Sequence, residues 1–261
     1  MSNAPAHDHS TSALLEVREL MVFFENALAI NGLSLEIRAG ELVGVIGSNS
    51  AGKTTLMNAL SGLIIDMRTK EKRRGGERIT LYGSVFFNGE EITESPPSER
   101  VKKGIVLSRE RHPVFPESSV LENLRIAGYL RPRPQVRKTI AYVFELFPHL
   151  GRLKTRKAGF MSGGEQQMLA IGMALVVQPK LLLLDEPLLG LSPLMQQAVM
   201  EAVVHLKRDF GITVLLSEQF ARPVLPVIDR GYVVENGMLA LAGTGAELME
   251  NPEVRSAYFG I

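Results

Sequence analysis

The 261-residue sequence contains no cysteine and no tryptophan, and its formal net charge at pH 7 is only +1. The absence of cysteine excludes disulfide bonds, thiol catalysis and cysteine-ligated zinc, and it is consistent with a reducing compartment. Because the net charge is so small, global charge requires neither nucleic acid nor an acidic substrate as a partner. No apolar run reaches the ~18 residues that a membrane-spanning helix needs.

The hydrophobic content, at 45%, is high enough for the chain to bury a sizeable core. From the length we expect a single domain over residues 14–261, or two closely packed subdomains. Residues 1–13 are polar and lack the apolar core of a signal peptide, which predicts a disordered tail. His7 and His9 in this tail could bind a metal, but the lack of further ligands favours a flexible segment.

Short apolar segments alternate with helical patterns along most of the chain, which predicts an α/β fold with a mostly parallel sheet. Early strands are expected at Leu14–Leu20 and Leu33–Ile37. From about residue 94 to about residue 164 the pattern is mostly helical, which predicts a helical subdomain inserted in the α/β core. Before it, Asp66–Arg78 holds six basic and three acidic residues. This stretch could contact anionic lipid or RNA, but without interleaved aromatic residues it favours a solvated surface loop.

A phosphate-binding pattern, G-x-x-x-x-G-K-[ST], lies between a predicted strand at Glu41–Ile46 and a predicted helix at Lys53–Leu63. Glycines let backbone N–H groups approach a phosphate closely, Lys53 supplies positive charge to it, and the Thr54 hydroxyl is a Mg²⁺ ligand. The alternative is a tight strand-to-helix turn without a ligand. The predicted nucleotide-binding residues here are Gly47, Ser48, Asn49, Ser50, Ala51, Gly52, Lys53, Thr54 and Thr55.

Two carboxylates follow the apolar strand predicted at Leu181–Leu184. The carboxyl ends of central parallel strands are where such sheets bind ligands. We therefore expect Asp185 to hold Mg²⁺ and Glu186 to act as the general base that polarises an attacking water.

A third segment, Ser162 to Gln166, precedes a helix predicted to run from Glu165 to about Val177. The Ser162 hydroxyl, two glycines and a helix N-terminus together offer an anion site suited to a phosphate. Taken alone, the segment is better explained as a glycine-containing loop that only caps a helix.

In this order and spacing, the three segments resemble the Walker A, signature and Walker B motifs of ATP-binding cassette (ABC) ATPases over Leu14 to Phe259. The resemblance implies a P-loop NTPase core with a mostly parallel sheet, an N-terminal antiparallel β portion and the inserted helical subdomain. It also implies ATP and Mg²⁺ as cofactors. Ser50 replaces the usual glycine of the phosphate loop, and since serine reaches positive φ less freely, we expect slight strain there.

Further residues take roles from the same resemblance. Phe24 matches the aromatic residue that stacks on adenine, although Phe23 competes for the role. Glu110 falls at the Q-loop position that reaches Mg²⁺, and Gln219 falls at the switch position that contacts the γ-phosphate. The predicted catalytic residues are Glu186, Gln219 and Lys53; the predicted metal residues are Thr54, Asp185 and Glu110; the predicted signature residues, acting on the ATP of a partner subunit, are Ser162, Gly163, Gly164, Glu165 and Gln166.

The stretch Ser217–Arg222 is similar to the V-E-Q-N-A stretch of ATPases that energise uptake of branched-chain amino acids, amides or urea. This resemblance implies a peripheral subunit at the cytoplasmic face of the inner membrane. Its partners would be a second ABC ATPase subunit, identical or similar, membrane permease subunits and, indirectly, a solute-binding protein; no nucleic acid is expected.

Two alternatives stay open. A non-transport ABC ATPase acting on nucleic acid or ribosomes usually has two cassettes or a long coiled-coil insertion, and this chain has one cassette and no heptad run. A binding module with degenerate chemistry is indicated only by Ser50 and Gln219, whereas Lys53 and Glu186 are intact.

Overall fold

A computed structural model describes residues 13–76, 78–110 and 114–259. The predicted tail, with His7 and His9, lies outside the described residues except for Ala13. The strands are β1 Leu15–Phe24, β2 Ala27–Ile37, β3 Leu42–Ile46, β4 Ile79–Phe87, β5 Glu90–Glu91, β6 Ile105–Ser108, β7 Leu181–Asp185, β8 Thr213–Glu218, β9 Arg230–Glu235 and β10 Met238–Thr244. The α-helices are α1 Lys53–Ser61, α2 Leu63–Lys72, α3 Pro97–Lys103, α4 Val120–Ala127, α5 Arg133–Leu146, α6 Pro148–Arg152, α7 Gly163–Val176, α8 Pro193–Phe210, α9 Gly245–Glu250 and α10 Pro252–Val254.

The strands form two sheets of different kinds. A six-stranded sheet has the order β10-β9-β3-β8-β7-β6 and is parallel except for β10, while a four-stranded antiparallel sheet has the order β2-β1-β4-β5. The predicted α/β class, the mostly parallel sheet and the N-terminal antiparallel portion are therefore confirmed. The parallel sheet brings the carboxyl ends of β3, β7 and β8 together at one edge.

The parallel sheet is buried on both faces, which explains its near-continuous apolar strands. Leu181 and Leu183 of β7 pack into a core shared with α1 and the antiparallel sheet. Leu182 and Leu184 point to the other face and pack with the helices α4, α5, α7 and α8. Successive residues of one strand therefore serve two cores.

The helical block after β6 packs against the second of these cores, mainly through α4 and α5 against α7. The strand β6 and the helix α3 before it lie with the parallel sheet and α1. The exact division of the chain into subdomains stays a prediction. Helix α7 begins at Gly163, two residues earlier than expected, because Ser162 caps it.

The basic stretch after the phosphate-loop helix differs from the expectation. The expected helix Lys53–Leu63 is interrupted at Gly62, which has a φ of 82°, and α2 then continues to Lys72. The prediction of a surface loop at Asp66–Arg78 is thus wrong for its first half. An ion pair between Lys70 and Asp66, 2.7 Å and one helical turn apart, supports this helical extension.

One arginine ties the end of α1 to the segment before α3. Arg100 is fully buried, and its guanidinium donates to backbone carbonyl oxygens instead of a carboxylate. Burial lowers the pKa of Arg100 to about 10, so the side chain stays charged at neutral pH. The acceptors are Ala59 O at 2.7 Å, Leu60 O at 2.9 Å, Ile92 O at 2.6 Å, Thr93 O at 2.8 Å and Ser95 O at 3.0 Å.

Candidate functional site

The loop between β3 and α1 has two positions at which its surroundings require glycine. A Cβ atom on Gly47 would lie 2.5 Å from the carbonyl oxygen of Val234. Gly52 has a φ of 101°, and a Cβ there would lie 2.7 Å from the carbonyl oxygen of Ala29. Ser50 has a φ of 67°, which is the left-handed conformation that the sequence analysis expected to be unfavourable for serine. The loop therefore keeps its shape, and Ser50 carries the strain.

Lys53, the first residue of α1, is held inside this loop. The side chain is only 3% exposed, and its Nζ donates to Gly47 O and Ser48 O, each at 2.9 Å. The same Nζ lies 3.0 Å from Glu186 Oε1. The buried ammonium group of Lys53 thus lies between the phosphate loop and the carboxylate of Glu186, the first residue after β7.

Asp185, the last residue of β7, is anchored by two hydroxyl groups. Its Oδ1 accepts hydrogen bonds from Ser217 Oγ at 2.7 Å and from Thr54 Oγ1 at 3.3 Å. Burial raises the pKa of Asp185, the two hydrogen bonds oppose the shift, and the charges of Glu186 and Glu110 add to it. The carboxylate therefore lies beside Thr54, another of the predicted metal residues, in a setting that favours an added positive charge.

Glu186 and the turn that follows it are held by β8. Glu186 has a φ of 47°, and its N–H donates to Ser217 O at 3.0 Å and to Ser217 Oγ at 3.3 Å. Glu218, the last residue of β8, is 1% exposed, and its Oε1 accepts from the Leu188 N–H at 2.7 Å. Burial raises the pKa of Glu218 to about 7, and hydrogen bonds from Leu188 and Gln219 oppose that shift.

No site role was predicted for Ser217 or Glu218. A signal was present, since both are polar residues at the carboxyl end of an apolar strand, directly before Gln219. The sequence does not show which strands are neighbours. In the structure β8 lies between β3 and β7, so its end is close to the loop after β3 and to the turn after β7.

A cleft of about 330 Å³ opens beside the loop. It is lined by Ser50, by the residues from Gly52 to Thr55, and by Glu186. Leu28, Ala29 and Asn236 also line it, although none had a predicted role. Their positions depend on tertiary packing.

Phe24 is the last residue of β1 and is half-buried against the core formed by α1 and the antiparallel sheet. It is not among the residues that line the cleft. Its proposed contact with adenine stays a prediction.

Comparisons with known proteins give the family. The family profile described as ABC transporter matches residues 30–189. The chain is 40% identical over 247 residues to the high-affinity branched-chain amino acid transport ATP-binding protein BraG of Pseudomonas aeruginosa, covering 95% of this chain and 100% of the relative. The protein named BraF of the same organism, described in the same words, is 30% identical and covers 95% of this chain and 98% of itself.

The chain belongs to the ABC transporter family. The structure is similar to that of MJ1267, an ATP-binding cassette of an ABC transporter in its ADP conformation, with a TM-score of 0.79 and 28% identity. That alignment covers 96% of this chain and 100% of the other. The predicted family and fold class are thus confirmed, and so is the expectation that the chain is an ABC ATPase.

The Ser162 segment of this ABC ATPase lies on the surface at the N-terminus of α7. Ser162 and Gly163 are exposed, whereas Gly164 is buried. The Ser162 N–H donates to Glu165 Oε2 at 2.7 Å, and the Glu165 N–H donates to Ser162 Oγ at 3.4 Å. The Gln166 side chain turns inward, towards Ala158 O at 3.0 Å. Ser162 and Gly163 are therefore the residues of this segment that face outward.

Glu165 has a further partner on the helical block of the ABC ATPase. His149 Nε2 lies 2.6 Å from Glu165 Oε1. Burial alone would raise the pKa of Glu165, but hydrogen bonds from His149 and Ser162 outweigh it and hold the pKa below its usual value. The carboxylate thus stays ionised and keeps the Ser162 cap in place.

Glu110 and Gln219 are half-buried residues near Asp185 and Glu218, respectively. Glu110 is close enough to Asp185 for its charge to raise the pKa of that carboxyl group. Gln219 follows β8 directly, and its N–H bonds to the Glu218 carboxylate. Among the described residues, no helix of this ABC ATPase combines the length and the apolar character that a membrane span needs.

Proposed function

We propose that the chain is the ATP-hydrolysing subunit of an importer for branched-chain amino acids or a related small polar solute. The observation that carries the ATPase site is the assembly of Lys53, Thr54, Asp185 and Glu186 at the carboxyl ends of β3 and β7. The kind of cargo is supported by 40% identity to BraG across 95% of the chain. That relative is a transport protein, which favours transport over work on nucleic acid or ribosomes.

The donor set fits ATP with Mg²⁺. The loop residues Gly47 to Thr55 would hold the phosphates through backbone N–H groups and the Lys53 ammonium. Thr54 Oγ1 and Asp185 Oδ1 lie 3.3 Å apart and are oxygen ligands of the kind that Mg²⁺ prefers. Glu110 would complete this side of the site, and Phe24 would contact the adenine ring.

For hydrolysis, Glu186 would accept a proton from the attacking water, and Lys53 would compensate the negative charge of the phosphates. When bound, Mg²⁺ would neutralise charge on the β- and γ-phosphate oxygens. Glu186 stands beside Lys53 Nζ at 3.0 Å. The Glu186 carboxylate would therefore lie close to the phosphates that Lys53 binds. Gln219 would contact the γ-phosphate from the end of β8.

The exposed Ser162 segment supports action across a subunit boundary. It is not among the residues that line the cleft of its own subunit. We infer that Ser162, Gly163 and Gly164, ordered by Glu165 and Gln166, contact the ATP bound to a second ABC ATPase subunit. The second subunit would be another copy of this chain or a similar ATPase, and BraG and BraF are two such proteins from one organism. Permease subunits at the cytoplasmic face of the membrane would receive the resulting movement.

Replacement of Glu186 by Gln tests the ATPase assignment. The amide cannot act as a base, so we expect ATP binding to persist while the hydrolysis rate falls by about 100-fold or more. Phosphate release and nucleotide binding are measured on the purified chain, and sedimentation tests for a stable ATP-bound dimer. Normal turnover would remove Glu186 as the base.

Recovery of the tagged full-length chain from membranes tests the transport assignment. We expect it to copurify with two membrane permease subunits. Solute uptake by vesicles containing that complex would then identify the cargo. Recovery with ribosomes instead would contradict the importer.

A further inference from the structure

The catalytic candidate Glu186 has a backbone conformation that its own residue type disfavours. Its φ of 47° is left-handed, and a non-glycine residue there costs ~1–3 kcal/mol unless its surroundings hold it in place. On the N-terminal side, its N–H is bound by Ser217 O at 3.0 Å. Pro187 follows directly and restricts the chain further. The Leu189 N–H donates to Glu186 O at 3.2 Å and closes the turn, which leaves the Leu188 N–H inside it to be bound by another element.

Glu218 supplies the restraint at Leu188. Leu188 is fully buried, so its N–H needs an acceptor within the protein. Glu218 Oε1 accepts that hydrogen bond at 2.7 Å. The carbonyl oxygen of Glu218 accepts a separate hydrogen bond from the Gly47 N–H at 3.2 Å. The backbone of Glu218 therefore holds the phosphate loop, whereas its side chain holds the turn from Glu186 to Leu188.

We propose that Glu218 is a positioning residue for ATP hydrolysis: by accepting the Leu188 N–H, its buried carboxylate fixes the left-handed Glu186 and so directs the catalytic carboxylate at the water. The inference rests on the proposed role of Glu186 as base. A misplacement of about 1 Å in a catalytic group can cost on the order of 100-fold in rate. The hydrogen-bond acceptor is the property that matters, since Leu188 offers a neutral donor.

Three purified full-length proteins test this in a phosphate-release assay with ATP: the wild type, Glu218→Ala and Glu218→Gln. Alanine removes the acceptor, so kcat should fall by about tenfold to 100-fold, while KM for ATP changes less than about threefold because the phosphate loop keeps its Gly47 bond. Glutamine retains an acceptor oxygen and should restore kcat to within about threefold of the wild type.

Thr213→Val is the matched control. Thr213 is a 1% exposed polar residue at the opposite end of β8, and its Oγ1 accepts from the Gly40 N–H at 2.9 Å. The control should lose thermal stability comparably to Glu218→Ala and keep the wild-type kcat. A parallel loss of kcat in Thr213→Val would show that Glu218 acts only through stability.

Two further outcomes would overturn the inference. Wild-type kcat in Glu218→Ala would do so, as would a Glu218→Gln protein as slow as Glu218→Ala. Glu186→Gln, run beside them, separates this from the underlying assignment. If Glu186→Gln hydrolyses ATP normally, the proposed base is wrong; if it is slow while Glu218→Ala is normal, only the positioning role fails.

Discussion

Two helix N-termini of this ABC ATPase, those of α1 and α7, are held in opposite ways. At α1 the N-cap is Gly52, no side chain caps the helix, and the first turn carries no acidic residue. At α7 the N-cap is Ser162, which forms a reciprocal capping box with Glu165. The first amides of α1 are thus left for an external anion, whereas those of α7 are partly satisfied within the chain.

Burial differs between the two regions in the same sense. Lys53 and Asp185 are each 3% exposed; Lys53 bonds to the loop carbonyls of Gly47 and Ser48, and Asp185 bonds to Ser217 of the neighbouring strand. Ser162 and Gly163, in contrast, are exposed on the surface. The phosphate loop is therefore pre-organised by the sheet and should bind nucleotide within one subunit. The Ser162 segment keeps its shape through hydrogen bonds within its own turn, and its exposed residues are available to contact a second subunit.

Opposite effects of Lys53→Ala and Gly163→Asp would establish this difference most directly. Without Lys53 the phosphates lose their buried positive charge, and ATP affinity of the isolated subunit should fall by about 100-fold or more. Gly163→Asp should change that affinity less than about threefold, because Gly163 lies away from the subunit's own cleft. The added negative charge should nevertheless repel phosphate across the dimer and stop hydrolysis.

Fluorescent-nucleotide titration of each variant gives the affinity, and phosphate release gives the rate. Retained affinity in Lys53→Ala would count against the phosphate-loop assignment. Unchanged hydrolysis in Gly163→Asp would contradict a site shared between two subunits. A third variant, Thr155→Asp at an exposed position before Ser162, controls for added charge and should hydrolyse ATP normally.

The scaffold behind the phosphate loop is open to a second test at Arg100. Arg100→Met would remove the guanidinium donors from the carbonyl oxygens that it binds at the end of α1 and before α3, and we expect it to lower the free energy of unfolding by about 3–5 kcal/mol. Arg100→Lys should lose less, since an ammonium can still reach some of them. Chemical denaturation measures both; equal stability of Arg100→Met and the wild type would contradict this account.

The contrast also shows how far sequence alone reaches. Gly47–Thr54 and Ser162–Gln166 could be found because each is a short pattern with its own turn geometry, flanked by strands and helices of the right period. Ser217, Glu218 and Arg100 could not be assigned, because their contacts depend on which strand lies beside β7 and where α1 ends. The charge density of Asp66–Arg78 predicts a surface loop, but the ion pair of Asp66 and Lys70, one helical turn apart, supports a helix over the first half of this stretch.

The pH dependence of the free energy of unfolding tests whether Glu218, beside the phosphate loop, is buried. Its folded pKa of about 7 is above the ordinary value of 4.5, so its contribution to stability is full below about pH 4.5 and is lost as the pH rises towards 7. Glu218→Gln cannot ionise. The free energy of unfolding of Glu218→Gln relative to the wild type should therefore rise by roughly 3 kcal/mol from pH 4.5 to pH 8. Denaturant titrations across this range would show a constant difference if the carboxylate were solvated.

Ser50 gives the smallest expected effect, and it tests whether the phosphate loop needs its left-handed turn. At a φ of 67°, valine is a worse fit than serine because its branched Cβ crowds the backbone, so Ser50→Val should cost about 1–2 kcal/mol of stability. Ser50→Gly is the matched control: relief of strain and added freedom of the unfolded chain nearly offset each other, leaving a change within about 1 kcal/mol. Ser50→Val should also weaken ATP binding several-fold, because the loop amides would shift. Wild-type stability and affinity in Ser50→Val would mean that the loop adopts another conformation in solution.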